Sequence, residues 1–171
     1  MPRILTNGQY NDDAHHGVDL GFYTRDNKLF TGTDVHSVMD GKIAGLVLDR
    51  PPYGNAILVE TPYNLLPANI ILQFGIPENA SIYTLYGHLQ NMQNFTIGAD
   101  VKCGELLAQT GLTGFTGGPH LHLEMRYGEK DTEFHSLGYY RADLTAEEMD
   151  NYRLWRMSGA FTLFDPIELL K

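Results

Sequence analysis

The chain has 171 residues, 43% of them hydrophobic and 19% charged, which suits one globular domain with room for insertions and excludes a disordered tail. Twelve Lys and Arg against twenty-one Asp and Glu give a net charge of -9, which argues against nucleic acid or anionic lipid as the main partner. A single cysteine, Cys103, excludes an intramolecular disulfide and a cysteine-rich zinc module, whereas seven histidines are enough for a metal site.

The first ten residues, MPRILTNGQY, contain no apolar stretch of signal-peptide length. An exported form would take its signal from a longer parent. Candidate strands follow at Val18–Tyr23, Val35–Met39, Lys42–Leu48, Ala56–Thr61, Ser81–His88, Glu105–Thr110 and His120–Arg126, separated by turn residues such as Asp40-Gly41, Tyr53-Gly54-Asn55 and Gly98-Ala99-Asp100. This rhythm predicts a mainly β chain with antiparallel sheets, of barrel or sandwich type. The most apolar run, residues 65–76, is broken by Pro67, Asn69 and Gln73, so no transmembrane helix is expected. It lies in residues 62–79, which carry three prolines and read as a surface excursion between paired strands. A second insertion spans residues 129–164. In it Thr145 and Glu148 form a capping box for a helix running to about Met157 and ended by Gly159. This is the one substantial helix expected, and Tyr152 and Trp155, three apart, form the face that packs on the sheet.

Chemistry concentrates in three histidine-bearing segments: residues 14–19 (AHHGVD), 86–89 (YGHL) and 118–124 (GPHLHLE). In a strand His120 and His122 project to the same face, although such a pair alone suits solvated or hydrogen-bonded histidines equally well. His15 and Asp19 are four apart, but Gly17 and Val18 disfavour a helix, which places them on a turn entering a strand. Two imidazoles and one carboxylate make a three-donor zinc site with the fourth position open, the layout of a catalytic rather than a structural zinc.

Together the three segments resemble the motifs of the lysostaphin/LytM-type zinc metallopeptidases, which cut the peptide part of bacterial peptidoglycan. The intervening stretches 35–43 (VHSVMDGKI), Tyr53-Gly54-Asn55, 101–106 (VKCGEL), Thr113-Gly114 and Phe164-Asp165-Pro166 are similar too, in the same order. The resemblance implies that His15, Asp19 and His122 bind one zinc ion and that His120 and His88 serve in catalysis. His120 is read as the general base, and His88 as its partner in orienting water and stabilising the tetrahedral intermediate. Tyr10, in Gly8-Gln9-Tyr10, resembles a tyrosine that donates to the oxyanion in lysostaphin-like members; a packed aromatic is its other reading. Glu124 suits either a hydrogen bond to a metal ligand or a solvated strand position. His16, His36 and His135 are assigned surface or packing roles, and Cys103 that of a small apolar filler.

The expected activity is zinc-dependent hydrolysis of peptidoglycan peptides, in the cell envelope or outside the cell as the family implies. Other domains of a longer parent are expected as possible partners. A catalytically silent regulator or scaffold of the same fold is the alternative, but all five expected residues are present. A biotinyl or lipoyl carrier domain also fits residues 35–43 and 100–107. It would need a hairpin lysine that is missing, and it leaves the histidines unexplained. Either insertion could form a wall of the substrate groove.

Overall fold

Strand-type alternation sends successive side chains to opposite faces, and in the central strands both faces are covered. The computed structural model describes residues 3–4, 10–11, 15–21 and 29–170. In chain order these form β1 (Arg3–Ile4), β2 (Tyr10–Asn11), β3 (Val18–Leu20), β4 (Asp34–His36), β5 (Gly41–Arg50), β6 (Gly54–Pro62), α1 (Ala68–Phe74), β7 (Ala80–Gly87), β8 (Leu89–Gln90), β9 (Asp100–Val101), β10 (Leu106–Thr110), β11 (Leu121–Glu129), α2 (Ala146–Arg156) and β12 (Thr162–Phe164). The class is mainly β, with antiparallel pairing between the strands. The principal sheet has the order β12-β11-β7-β6-β5-β9 with β3 added beside β11, and a smaller sheet has the order β4-β10-β8.

One face of the principal sheet presents Ile43, Ile57, Val59, Tyr86 and Leu123, which pack with Val35, Leu89 and Leu107 of the smaller sheet. The other face presents Ala44, Leu58, Tyr83 and Leu85 beneath Phe134, Tyr152, Trp155 and Phe161. The C-terminal insertion therefore covers an entire sheet face. Its helix starts as the sequence predicts, with the Thr145 hydroxyl accepting from the Glu148 backbone and the Glu148 carboxylate accepting from the Thr145 backbone.

Three expectations shift. The strand expected to reach Met39 stops at His36, because the Ser37 hydroxyl donates to the Met39 carbonyl and bends the chain. The strand from Val18 stops at Leu20, while residues 22 and 23 lie outside the described residues. Residues 62–79 hold a second helix, α1, between Pro67 at its N-cap and Gly75 in the left-handed conformation at its end. Proline is harmless at that position because a first-turn N–H has no helical partner to lose. Leu66, Ile70 and Ile76 then pack on Ile82 and Met125, which makes the segment a small core of its own rather than a bare excursion.

Candidate metal centre

Strand register assembles the three histidine segments. On β11, His122 faces Asp19 of β3 on one side and Gly87 of β7 on the other. Gly87 has no side chain, and a Cβ there would approach the His122 Cβ at 3.4 Å, so a small residue leaves the imidazole room. His88 follows Gly87 where the chain passes from the principal sheet into β8 of the smaller one, and it takes a left-handed backbone with φ of 60°. His120 bridges to Gly111 just past the end of β10 and just before β11. All the expected motif histidines thus stand at the seam between the two sheets.

Asp19 Oδ1 is the centre of the cluster. It lies 3.0 Å from His15 Nε2, 3.0 Å from His122 Nδ1 and 3.3 Å from His120 Nε2. One donor atom from each of His15, Asp19 and His122 falls within 4.8 Å of the others. A tetrahedral zinc with bonds of about 2.0–2.2 Å separates its donors by roughly 3.3–3.5 Å, so a slight spreading of these three side chains accommodates the ion. Neutral imidazole and carboxylate donors also suit zinc chemically.

His88 and His120 stand beside this cluster with ring centroids 4.6 Å apart. His88 Nδ1 lies 2.7 Å from the Thr113 carbonyl and His120 Nδ1 lies 2.8 Å from the Gly118 carbonyl. A carbonyl only accepts, so each Nδ1 carries the proton and each Nε2 the lone pair. The Thr113 loop is itself clamped to the Tyr53-Gly54-Asn55 turn: Asn55 N donates to Thr113 Oγ1 at 2.9 Å and Phe115 N to the Pro52 carbonyl at 2.8 Å. His15, Asp19, Tyr53, His88, His120 and His122 line a cavity of about 350 Å³.

The sequence profile of peptidase family M23 matches residues 13–134. This chain belongs to that family. Among M23 and related sequences, it is 30% identical over 115 residues to the glycyl-glycine endopeptidase ALE-1 of Staphylococcus capitis, covering 67% of this chain and 25% of that protein. It is 34% identical over 96 residues to the cell division protein DipM of Caulobacter vibrioides, covering 56% of this chain and 13% of that protein. The chain therefore spans a quarter or less of the length of these relatives. Among solved structures, lysostaphin from Staphylococcus simulans is 26% identical with a TM-score of 0.46, covering 66% of this chain and 37% of that one.

Beneath the M23 motifs lies a polar network that the sequence did not reveal. Glu124 is fully buried, with Oε1 2.6 Å from Arg126 Nε and Oε2 accepting from the Tyr53 hydroxyl at 2.7 Å. Arg156 of α2 donates to the same hydroxyl at 3.1 Å and lies 3.8 Å from Glu124. Glu124 Oε2 is 3.5 Å from His122 Nε2, a buried nitrogen with no closer hydrogen-bond partner among the described residues. The solvated reading of Glu124 is thus corrected, because Arg126 and Tyr53 allow a carboxylate to remain ionised inside the core.

These surroundings set the charges. Burial opposes ionisation of Asp19, but the His122 hydrogen bond and the neighbouring imidazoles outweigh it and hold the carboxyl below its usual range. For Glu124, burial is likewise overcome, chiefly by Arg126 and by its contact with His122. Burial pushes His88 down to about 4, helped by His120 and His122 and opposed by the Thr113 carbonyl. His122 is also disfavoured as a cation by burial, but Asp19 and Glu124 raise it overall.

Other assignments are sorted by position. His16 is buried, with Nδ1 2.6 Å from Arg126 Nη2, which gives it the packing role of the two assigned. His36 and His135 are exposed as expected. Cys103 is exposed on a turn, its backbone donating to Asp40, which corrects the apolar-filler assignment. Tyr10 lies in β2 opposite Ile4, and its side chain is outside the described residues. Residues 129–164 supply part of the cavity wall through Tyr140, Tyr152 and Arg156, whereas residues 62–79 supply none of it.

Proposed function

We propose that this chain is a zinc metalloendopeptidase that hydrolyses peptide bonds in bacterial peptidoglycan. The observation that carries the reading is the meeting of His15, Asp19 and His122 donors with two histidines whose basic nitrogens are set by backbone carbonyls. Zinc bound by His15, Asp19 and His122 would supply Lewis acidity and a water acidified toward neutral pH. His120 Nε2 is the base that accepts the water's proton and later returns one to the leaving amine. His88, kept neutral by burial with its proton on Nδ1, accepts through Nε2 from a water molecule and so holds it in line. Glu124 positions the His122 ring from behind.

Peptidoglycan as substrate is supported by the relative that is itself a glycyl-glycine endopeptidase, and a location in the cell envelope or outside the cell accords with that substrate. No helix among the described residues is long and apolar enough to cross a membrane. The net charge of -9 would repel the protein from an anionic wall. Recognition therefore falls to the groove or to further domains of a longer protein, with residues 1–171 acting as one catalytic domain.

The test is to load the purified protein with zinc, quantify the metal, and incubate it with sacculi of different cross-bridge types, reading the muropeptides by mass spectrometry. Cleaved cross-links are expected. His120→Ala should lose turnover and keep zinc, and His122→Ala should lose both. Unchanged muropeptides across all types with zinc bound would overturn the enzyme reading and leave the scaffold alternative.

A further inference from the structure

The M23 profile ends at residue 134, yet the catalytic cavity does not. Part of its wall is built by later residues of the C-terminal insertion, Tyr140 and Tyr152, and Tyr140 meets Phe115 of the loop before His120. Phe115 and Tyr140 are 61% and 52% exposed, an unusual state for two neighbouring large aromatics. Their ring centroids lie 6.3 Å apart at 35°. Tyr140 is braced from behind, edge-on to Tyr139 at 4.8 Å and to Tyr152 at 6.1 Å, and Tyr139 stacks on Tyr152 at 5.1 Å. Tyr140 is therefore held in place by its aromatic neighbours.

Tyr140 also has a backbone φ of 70°. An aromatic residue is disfavoured in this region, where Gly or Asn would be at ease. Such a conformation is kept only where the surroundings enforce it, and such positions cluster at ligand sites. Here it turns an aromatic ring toward the same cavity that His88, His120 and His122 line.

We infer that Phe115 and Tyr140 form a subsite for an alkyl side chain flanking the scissile bond, so that the site selects alanyl or diamino-acid cross-links over polyglycine bridges. The inference rests on the peptidase reading above and names its substrate class. Glycine offers the rings only a backbone methylene. An alanine methyl or the methylene chain of a diamino acid covers ring surface otherwise left to water, and each such group is worth about fourfold in affinity. Phe115 and Tyr140 are the apolar face of a cavity otherwise lined mainly by histidines, Asp19 and Arg156, so an alkyl group has one place to settle. The predicted preference departs from the glycyl-glycine specificity in the name of the relative ALE-1.

Binding and cleavage are measured separately on two sugar-free synthetic cross-link peptides, one bridged by glycines and one by an alanyl-diamino-acid link. Calorimetry with zinc-loaded His120→Ala protein reads binding, and wild-type protein reads hydrolysis. The alanyl peptide should bind roughly tenfold or more tighter, and the preference should fall to near unity in Phe115→Ala and Tyr140→Gly, the latter a residue that suits the existing φ. Equal binding of the two peptides, no binding of either, tighter binding of the glycine peptide, or equal losses for both in the variants would overturn the inference. Selective binding without hydrolysis in the wild type would sustain the subsite while overturning the peptidase reading.

Discussion

Replacing Glu124 by glutamine changes one atom in the buried network and probes it directly. The carboxylate lies 2.6 Å from Arg126 Nε, accepts from Tyr53 at 2.7 Å and stands 3.5 Å behind His122 Nε2, with no solvent exposure. Glu124→Gln keeps the volume, but it leaves the Arg126 guanidinium buried without its counter-charge and turns an amide N–H₂ toward groups that are themselves donors. Breaking a buried ion pair by removing one partner costs about 3–5 kcal/mol. In a domain of this size that corresponds to a fall of roughly 6–20 °C in melting temperature. His122 loses its backing as well, and loss of such a partner typically lowers metal affinity by about 10- to 100-fold. Urea denaturation in the presence of a chelator isolates the first effect, and zinc competition against a chromophoric chelator isolates the second. A variant within about 1 kcal/mol of the parent in stability would refute the energetic account of the network. Unchanged zinc affinity would refute the backing of His122.

Two further outcomes follow from the same geometry. In metal-free protein, His88 is held near 4 in the fold against about 6.5 when unfolded, so below pH 6.5 the unfolded chain binds a proton that the native one refuses. Stability should fall by about 3 kcal/mol between pH 7 and 4 on this account, whereas the raised His122 adds stability as pH falls toward 6.5 and contributes no slope below it. His88→Gln should therefore show a shallower decline in urea midpoints across that range, and parallel slopes would contradict the assignment. Gly54 has φ of 70°, and a Cβ there would meet the Thr113 carbonyl carbon at 2.3 Å. Gly54→Ala should thus displace the loop whose carbonyl holds His88 and reduce turnover at least tenfold while zinc still binds; full activity would show that the turn does not position His88.

Resemblance of the three motifs, in their order along the chain, to the lysostaphin/LytM-type peptidases is what joined His15, Asp19, His88, His120 and His122 into one constellation, since HxH spacing alone left His120 and His122 as an ordinary pair. The register that sets His122 opposite Asp19 depends on hydrogen bonding between β11 and β3, about a hundred residues apart in sequence. What escaped was whatever local pattern does not encode. For Glu124 the local pattern left a hydrogen bond to a metal ligand and a solvated strand position both open, since Tyr53 and Arg156, which surround it in the fold, come from distant elements. The helix at Ala68–Phe74 was masked by its flanking prolines, one of which occupies the N-cap. Cys103 was misjudged because the turn that exposes it is closed by Asp40, far back in the chain.

The family match stops at residue 134, but that boundary cuts through a packed unit. Phe134, Tyr152, Trp155 and Phe161 share one core with Leu58, Tyr83 and Leu85 of the central strands. Homology and cooperativity thus divide this molecule differently. A designer who wishes to transplant the catalytic motifs must carry the insertion with them, since trimming at the conserved edge would strip a sheet of its cover and leave a sticky apolar plane. Tyr152 belongs both to that roof and to the wall of the cavity beside the histidines, so a change in it acts on the cover of the sheet and on the pocket at once.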